Sequence, residues 1–250
     1  MISADPTSLL LLLAFIAVAS YLQAVVGFGF GLLVMGLTAS LRIMPLADTA
    51  IVISLLAMVN TATALKGGVG NILRREGGVS LCFSLPMIGA GLYILETLSA
   101  SHTQALRLLL GITILASSTV VLRPPHREAA LSPLPSFALF GVLSGLAGGM
   151  FSTGAPPVAF QFYRQPLPLN VIRDTLLGLF LVGSTARMLM VAASGGLTSG
   201  LLGLSALAFP LVILFSVLGR RHPPKLSERG IRRIVFALLV ASALPLVAPG

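Results

Sequence analysis

Two short stretches of this sequence join glycine, proline and polar residues in a way that interrupts a helix and leaves hydrogen-bonding groups behind. The first reads Gly27-Phe28-Gly29-Phe30-Gly31. The second reads Gly148-Gly149-Met150-Phe151-Ser152-Thr153-Gly154-Ala155-Pro156-Pro157. Glycine weakens a helix, and proline removes a backbone donor and clashes with the preceding turn. A helix that restarts after such a break presents unpaired N–H groups and the positive end of its dipole, which together attract an anion. Gln23, Asn60, Thr61, Ser152, Thr153 and Gln161 supply amides and hydroxyls able to contact a small oxyanion nearby. The competing use of the glycines is to let helices approach closely, as small residues do in membranes. Phe28, Phe30 and Phe151 adjoin the breaks and either gate a path or pack as apolar residues.

Arg187 is the one strongly basic residue well inside an apolar run, 171–193. An ionised side chain there is costly and usually faces a cavity or a partner. It either draws in an anion or snorkels toward the interface, since six residues separate it from Ser194. Asp48 and Asp174 open apolar runs and precede threonines, which suits capping of free N–H groups; a proton-carrying role would require burial. Cys82 stands alone in an apolar run and reads as a small core residue. His102, His126 and His222 lie in loops without metal spacing. No phosphate loop, spaced carboxylate pair or nucleophile elbow is present, so neither an enzyme nor a cofactor is expected.

These residues must be positioned by membrane-spanning helices. Hydrophobic residues make up 56% of the 250 positions and charged residues 9%, with a mean hydropathy of +1.01. A soluble domain carries about 25% charged residues, so this chain cannot cover a water-facing surface. The net charge is +9, but the basic residues fall in loops between apolar runs, which argues against nucleic acid and for the positive-inside pattern. Runs 47–65, 79–98, 104–122, 171–193, 200–219 and 230–248 are each long enough to cross a bilayer. Stretches 7–41 and 134–163 hold the two breaks, and the first would reach about 52 Å as a single helix. The start of the first stretch resembles a signal peptide at Ala17-Val18-Ala19. No basic residue precedes it and the apolar sequence runs on, so it reads as retained.

Charge decides how these stretches cross. If each broken stretch returns on itself as a hairpin, loops 66–77, 123–133 and 219–233 share one side with Arg164 and Arg173. Thirteen of the sixteen basic residues then lie on that side, against Arg42, Arg107 and Arg187 elsewhere. The positive-inside rule makes it cytoplasmic, with both termini outside. Each half is then a broken hairpin followed by three spans, an odd number of crossings, so the halves insert with opposite orientation. The expected fold is an all-α polytopic bundle forming one transmembrane domain, with inverted repeats over 1–125 and 131–250. Pro45-Leu46-Ala47-Asp48-Thr49 has a weak counterpart in Pro168-Leu169 and Arg173-Asp174-Thr175 of the second half, with a Pro-to-Asp spacing that differs by three residues. Inverted repeats with paired broken helices are a recurrent plan of secondary transporters, with the solute held near the midplane.

The segment from Gln23 to Gly31, followed by Gly148 to Pro157, resembles the paired signatures of the sulfite exporter TauE/SafE family across essentially the whole chain. The resemblance implies a multi-pass permease of the cell (inner) membrane that moves sulfite, sulfoacetate or another organosulfonate outward. Its expected partners are a small anion, the bilayer and a coupling proton or ion. The expected contacts are Gln23, Gly27 to Gly31, Asn60, Thr61, Gly149, Phe151 to Gly154, Gln161 and Arg187. The rival readings are a passive anion channel and a non-transporting scaffold.

Overall fold

The structure is a computed structural model that describes residues 6–26, 29–65, 68–122, 127–222, 224 and 228–247. Among them are ten α-helices. The first five are α1 Pro6–Val26, α2 Phe30–Ser40, α3 Leu46–Leu65, α4 Arg74–Ser101 and α5 Thr103–Leu122. The second five are α6 Leu134–Phe151, α7 Ala155–Tyr163, α8 Leu169–Ala193, α9 Ser199–Arg221 and α10 Glu228–Val247. Seven are long and apolar enough to cross a membrane. The chain is a polytopic helical membrane protein.

The two broken stretches fold as long helices followed by short ones. Helices α2 and α7, with 11 and 9 residues, reach only about 16 and 13 Å, well short of the hydrocarbon thickness. Each packs back on the long helix before it. Backbone at the restarts is irregular. Gly29 adopts φ 108°, a left-handed conformation that disfavours side chains, and Ser152 closes α6 at φ 55°.

Packing repeats between the two sets of five helices. The first helix of each set lies along the fourth of the other, α1 on α9 and α6 on α4. The third packs on the third, α3 on α8, and the fifth on the fifth, α5 on α10. The α4–α6 contact shows why small residues are needed. Gly141, Gly145 and Gly149 recur every fourth residue on α6, and a Cβ on any of them would run into the carbonyl oxygens of Ser80, Ser84 or Ile88. The main core joins α1 to α5, the end of α6 and parts of α8 to α10 through residues such as Leu12, Ile16, Phe30, Ile53 and Phe151. A smaller cluster around Phe137, Phe162 and Ile172 sits where α6, α7 and α8 meet, with the two phenylalanine rings edge to face at 5.2 Å.

Hydrogen bonds gather several connecting segments at one end of the bundle. Asn71 Nδ2 donates to Asp174 Oδ2 at 2.8 Å, and the Leu73 N–H donates to Thr175 Oγ1 at 2.9 Å. The Glu128 N–H donates to the Arg164 carbonyl at 2.7 Å, and the two side chains form an ion pair. Ser216 donates to Asn60 Oδ1 at 2.9 Å, which brings the end of α9 beside the end of α3.

Several expectations need correction. Asp174 does not open its helix: α8 starts at Leu169, so the carboxylate lies past the first turn and receives Asn71 and Arg173 instead of capping N–H groups. Asp48 does fall in the first turn of α3. Cys82 is exposed on the outer face of α4 and not in the core, because a lipid-facing surface accepts a small apolar thiol as readily as an interior does. Arg74, Arg75, Arg220, Arg221, Arg229, Arg232 and Arg233 are helical and not in loops, because helices continue beyond the apolar run that crosses the bilayer. Gly27, Phe28, Lys66, Arg123, His126 and Lys225 lie outside the described residues.

Candidate functional site

Arg187 is the residue around which the site is built. It lies six residues before the end of α8 and exposes 2% of its surface, and it is the one buried Lys or Arg among the described residues. Its Nε donates to the Gly149 carbonyl at 3.0 Å. Its Nη1 donates to the Ala50 carbonyl at 3.1 Å and to Ser54 Oγ at 3.0 Å. Nη2 has no hydrogen-bond partner. All three acceptors are neutral. Among the described residues the only ion pairs are Arg164–Glu128 and Arg173–Asp174, so this guanidinium has no counter-ion. Burying a charge without a counter-ion costs several kcal/mol, which the three neutral acceptors offset in part. The snorkelling alternative does not describe this side chain: it points into the bundle and bonds two other helices.

One of the acceptors, the Gly149 carbonyl, is available because of the second break. α6 ends at Ser152, where the left-handed turn directs the Ser152 and Thr153 N–H groups back to Gly148 and Ala147. The Gly149 carbonyl is then free to take Arg187. Ser152 Oγ lies 2.6 Å from Ser54 Oγ and donates to the Ala50 carbonyl at 2.8 Å, which locks the break to α3. Ser144 Oγ donates to the Gly154 carbonyl at 2.6 Å, which fixes the start of α7.

The first break comes to the same place. A Cβ on Gly31 would lie 2.5 Å from the Ser152 carbonyl oxygen, so the two breaks are in direct backbone contact. Gln23 Oε1 accepts the Phe30 N–H at 3.2 Å, capping one donor of α2 from across the break. The N–H groups of Gly31 and Leu32 belong to the same first turn. The α7 terminus differs: Pro156 and Pro157 follow Ala155, so two of its first-turn positions carry no N–H. Side chains, not backbone amides, dominate the second break.

A cavity of about 110 Å³ lies at this junction. Arg187, Ser54, Ser152 and Thr153 line it, and Thr153 Oγ1 is buried without a partner. A site of this size holds several waters or one small oxyanion. Among the described residues, no carboxylate lines it.

The family described as Sulfite exporter TauE/SafE matches residues 11–246. The chain belongs to that family. It is also 39% identical over 241 residues to a protein of Cupriavidus necator described as "Probable sulfite/organosulfonate exporter TauE", covering 96% of this chain and 94% of the relative. No solved structure matches. Members of this family are membrane exporters and not enzymes.

Of the residues singled out in the sequence, Gln23, Gly29, Phe30, Gly31, Thr61, Ser152, Thr153, Gly154 and Arg187 line the cavity. Gly149 contributes its carbonyl to Arg187 without lining it. Three others stand apart. Asn60 ties α3 to α9, Phe151 is packed in the main core, and Gln161 is fully buried in α7 with neither amide atom bonded. Sequence reasoning missed Ser54, Ser80, Ser84, Ser144 and Ser184, all of which line the cavity. Their signal was present as helical spacing: Ser80 and Ser84 stand one turn apart on α4, and Ser54 and Thr61 two turns apart on α3.

Proposed function

We propose that this protein is a secondary exporter of a small sulfur-containing anion, sulfite or an organosulfonate, bound at the junction of the two helix breaks. The carrying observation is the buried Arg187 guanidinium, which lines the cavity with one nitrogen unbonded and no carboxylate among the described lining residues. Ser152 and Thr153 hydroxyls and the first-turn amides of α2 complete the set of donors. The described relative, named for sulfite and organosulfonate export, supports the choice of anion.

Alternating access follows from the architecture on this reading. The two sets of five helices are inverted repeats, and the exchange symmetry of their packing supports that view. Residues 1–125 and 131–250 then form the two halves, which rock about the central breaks. The end holding Arg164, Arg173 and the basic connecting segments faces the cytoplasm of the cell (inner) membrane, with both termini on the other side. A proton or ion gradient drives export, in keeping with a sequence that carries no phosphate loop.

Flux from proteoliposomes tests this reading. Sulfite or sulfonate efflux should saturate with concentration and disappear in Arg187→Met. Absence of flux for every sulfur oxyanion would refute it, and flux that rises linearly without saturation would make the protein a channel.

A further inference from the structure

The connection between α3 and α4 does more than join two spans. Residues 68–73 form a strap that leaves the first set of five helices, crosses the start of α8 in the second set and returns into α4. Its middle, Val69–Asn71, is a single 3-10 turn with all three residues exposed, so the cover is one chain thick. The underside is fixed to α8. Asn71 Nδ2 donates to Asp174 Oδ2, the Leu73 N–H donates to Thr175 Oγ1, and the Ile72 side chain lies against Gly178. Gly68 sits on the same carboxylate, because a Cβ there would come within 2.6 Å of Asp174 Oδ2. Beneath the strap Asp174 exposes 2% of its surface and Thr175 none.

The strap lies where the cavity ends. On α8 the lining begins at Leu179, and on α4 it begins at Ser80. About one turn before those residues the two helices meet, with a Cβ on Gly77 falling 3.2 Å from the Thr175 methyl. Thr175 and Gly178 are also the residues the strap holds. Lifting it from α8 therefore uncovers the last turn between the cavity and the end of the bundle that carries Arg74, Arg75 and Arg173. These contacts suit a closure that must release. They are two hydrogen bonds and one aliphatic contact, and the Asp174 carboxylate regains its hydration once uncovered.

The opposite end of the bundle holds the corresponding parts differently. In an inverted repeat the α8–α9 connection corresponds to the strap, and Asp48-Thr49 at the start of α3 corresponds to Asp174-Thr175. Residues 194–198 place their hydrogen bonds within α8 and α9, and none of them bonds Asp48 or Thr49. Asp48 is half-buried, and Thr49 Oγ1 donates to the Pro45 carbonyl of its own segment. One strap is latched and its counterpart is not. Two inverted halves that exchange conformations exchange these arrangements with them.

We propose that residues 68–73 are a gate that closes the cavity toward the basic end by latching on Asp174 and Thr175, and that lifts when the two sets of helices exchange conformations. The motion rests on the inverted-repeat exporter reading; the closure rests on the contacts alone.

The gate is tested on the full chain carrying Cys82→Ala, so that introduced cysteines are its only thiols. Ser84→Cys puts a thiol in the cavity wall, and a membrane-impermeant maleimide is added to vesicles from either side. Asn71→Ala removes a hydrogen bond to a carboxylate and should speed labelling from the Arg74 side at least about tenfold, with the opposite side unchanged. An unchanged rate in folded Asn71→Ala, or an equal rise from both sides, overturns the proposal. A second arm needs no weakened latch. Gly77→Cys with Thr175→Cys sets two thiols across the closure within reach of a disulfide. The oxidised pair should lose sulfite flux at least about tenfold and regain it on reduction; equal flux in both forms, or failure to oxidise, overturns the gate. If Asn71→Ala does not fold, this pair decides. If the unsubstituted protein moves no sulfite, the exporter reading fails and the labelling arm decides the gate by itself.

Discussion

Replacing Arg187 with methionine separates the role of its charge from the role of its bulk. The substitution keeps an unbranched side chain of similar reach and removes the cation. Three acceptors lose a donor, but Ala50 O still receives Ser152 Oγ, and Ser54 Oγ still pairs with Ser152. Only the Gly149 carbonyl is left without the side-chain partner it now has. One unsatisfied carbonyl costs about 1–3 kcal/mol, and removing an uncompensated buried cation returns several kcal/mol of desolvation. Stability should therefore change little, and the melting temperature should stay within a few degrees. Anion affinity should fall. A hydrogen bond to a charged group contributes about 1.5–3 kcal/mol, which corresponds to a loss of about 10- to 100-fold. Arg187→Lys should fall between the two, because it retains the charge and loses the planar fork that reaches Gly149, Ala50 and Ser54 together. Calorimetric titration of sulfite, alongside thermal unfolding of the same samples, measures both quantities. A folded Arg187→Met protein that binds sulfite with unchanged affinity would refute the reasoning, and so would one that loses binding only because it has unfolded.

Other substitutions probe the scaffold around this charge. Gly31→Leu should abolish flux while leaving membrane insertion intact, since its side chain enters the space held by the Ser152 carbonyl; proteoliposome transport and membrane fractionation read the two effects. Ser152→Gly keeps the left-handed turn accessible and removes the hydroxyl that ties the break to Ala50 and Ser54. Binding should weaken about 3- to 10-fold, with stability altered by about 1 kcal/mol, checked by titration and thermal unfolding. Gly145→Val drives a side chain into the Ser84 backbone and should destabilise the α4–α6 pair by about 3 kcal/mol or more, seen as loss of monodisperse protein in size-exclusion chromatography. Cys82, on the outer face of α4, should resist a membrane-impermeant maleimide in intact membranes, as measured by mass shift.

The breaks were legible in the sequence because glycine and proline act locally. Gly29 and the Pro156-Pro157 pair stop and restart a helix whatever surrounds them, and α2 and α7 begin just where those residues permit. The long helices were legible for a similar reason, since about 20 apolar residues are required to cross a bilayer. The cavity walls were less so. Ser54, Ser80 and Ser144 are common residues in membrane helices, and their meeting depends on which helix faces come together. Gly141, Gly145 and Gly149 carried a readable every-fourth-residue signal for close packing, but nothing in it names α4 as the partner. Asn60 and Gln161 show the opposite difficulty. Their amides looked fit for an anion, yet one ties α3 to α9 and the other is enclosed in α7. Polar type was visible in the sequence; the direction each side chain takes was not. Arg187 stood between these cases. Its cost was plain from its position in an apolar run, and its fate depended on the Gly149 carbonyl, which is freed only by the turn at Ser152.

The most direct measurement is the position of a bound anion. Selenite, the heavier analogue of sulfite, gives anomalous scattering that locates it in crystals of the full chain. The account predicts a single strong peak in the cavity within about 4 Å of the Arg187 guanidinium, between residues 29–31 and 152–154. A peak elsewhere in the membrane-spanning region, with the Arg187 end of the cavity filled by ordered water alone, would contradict it.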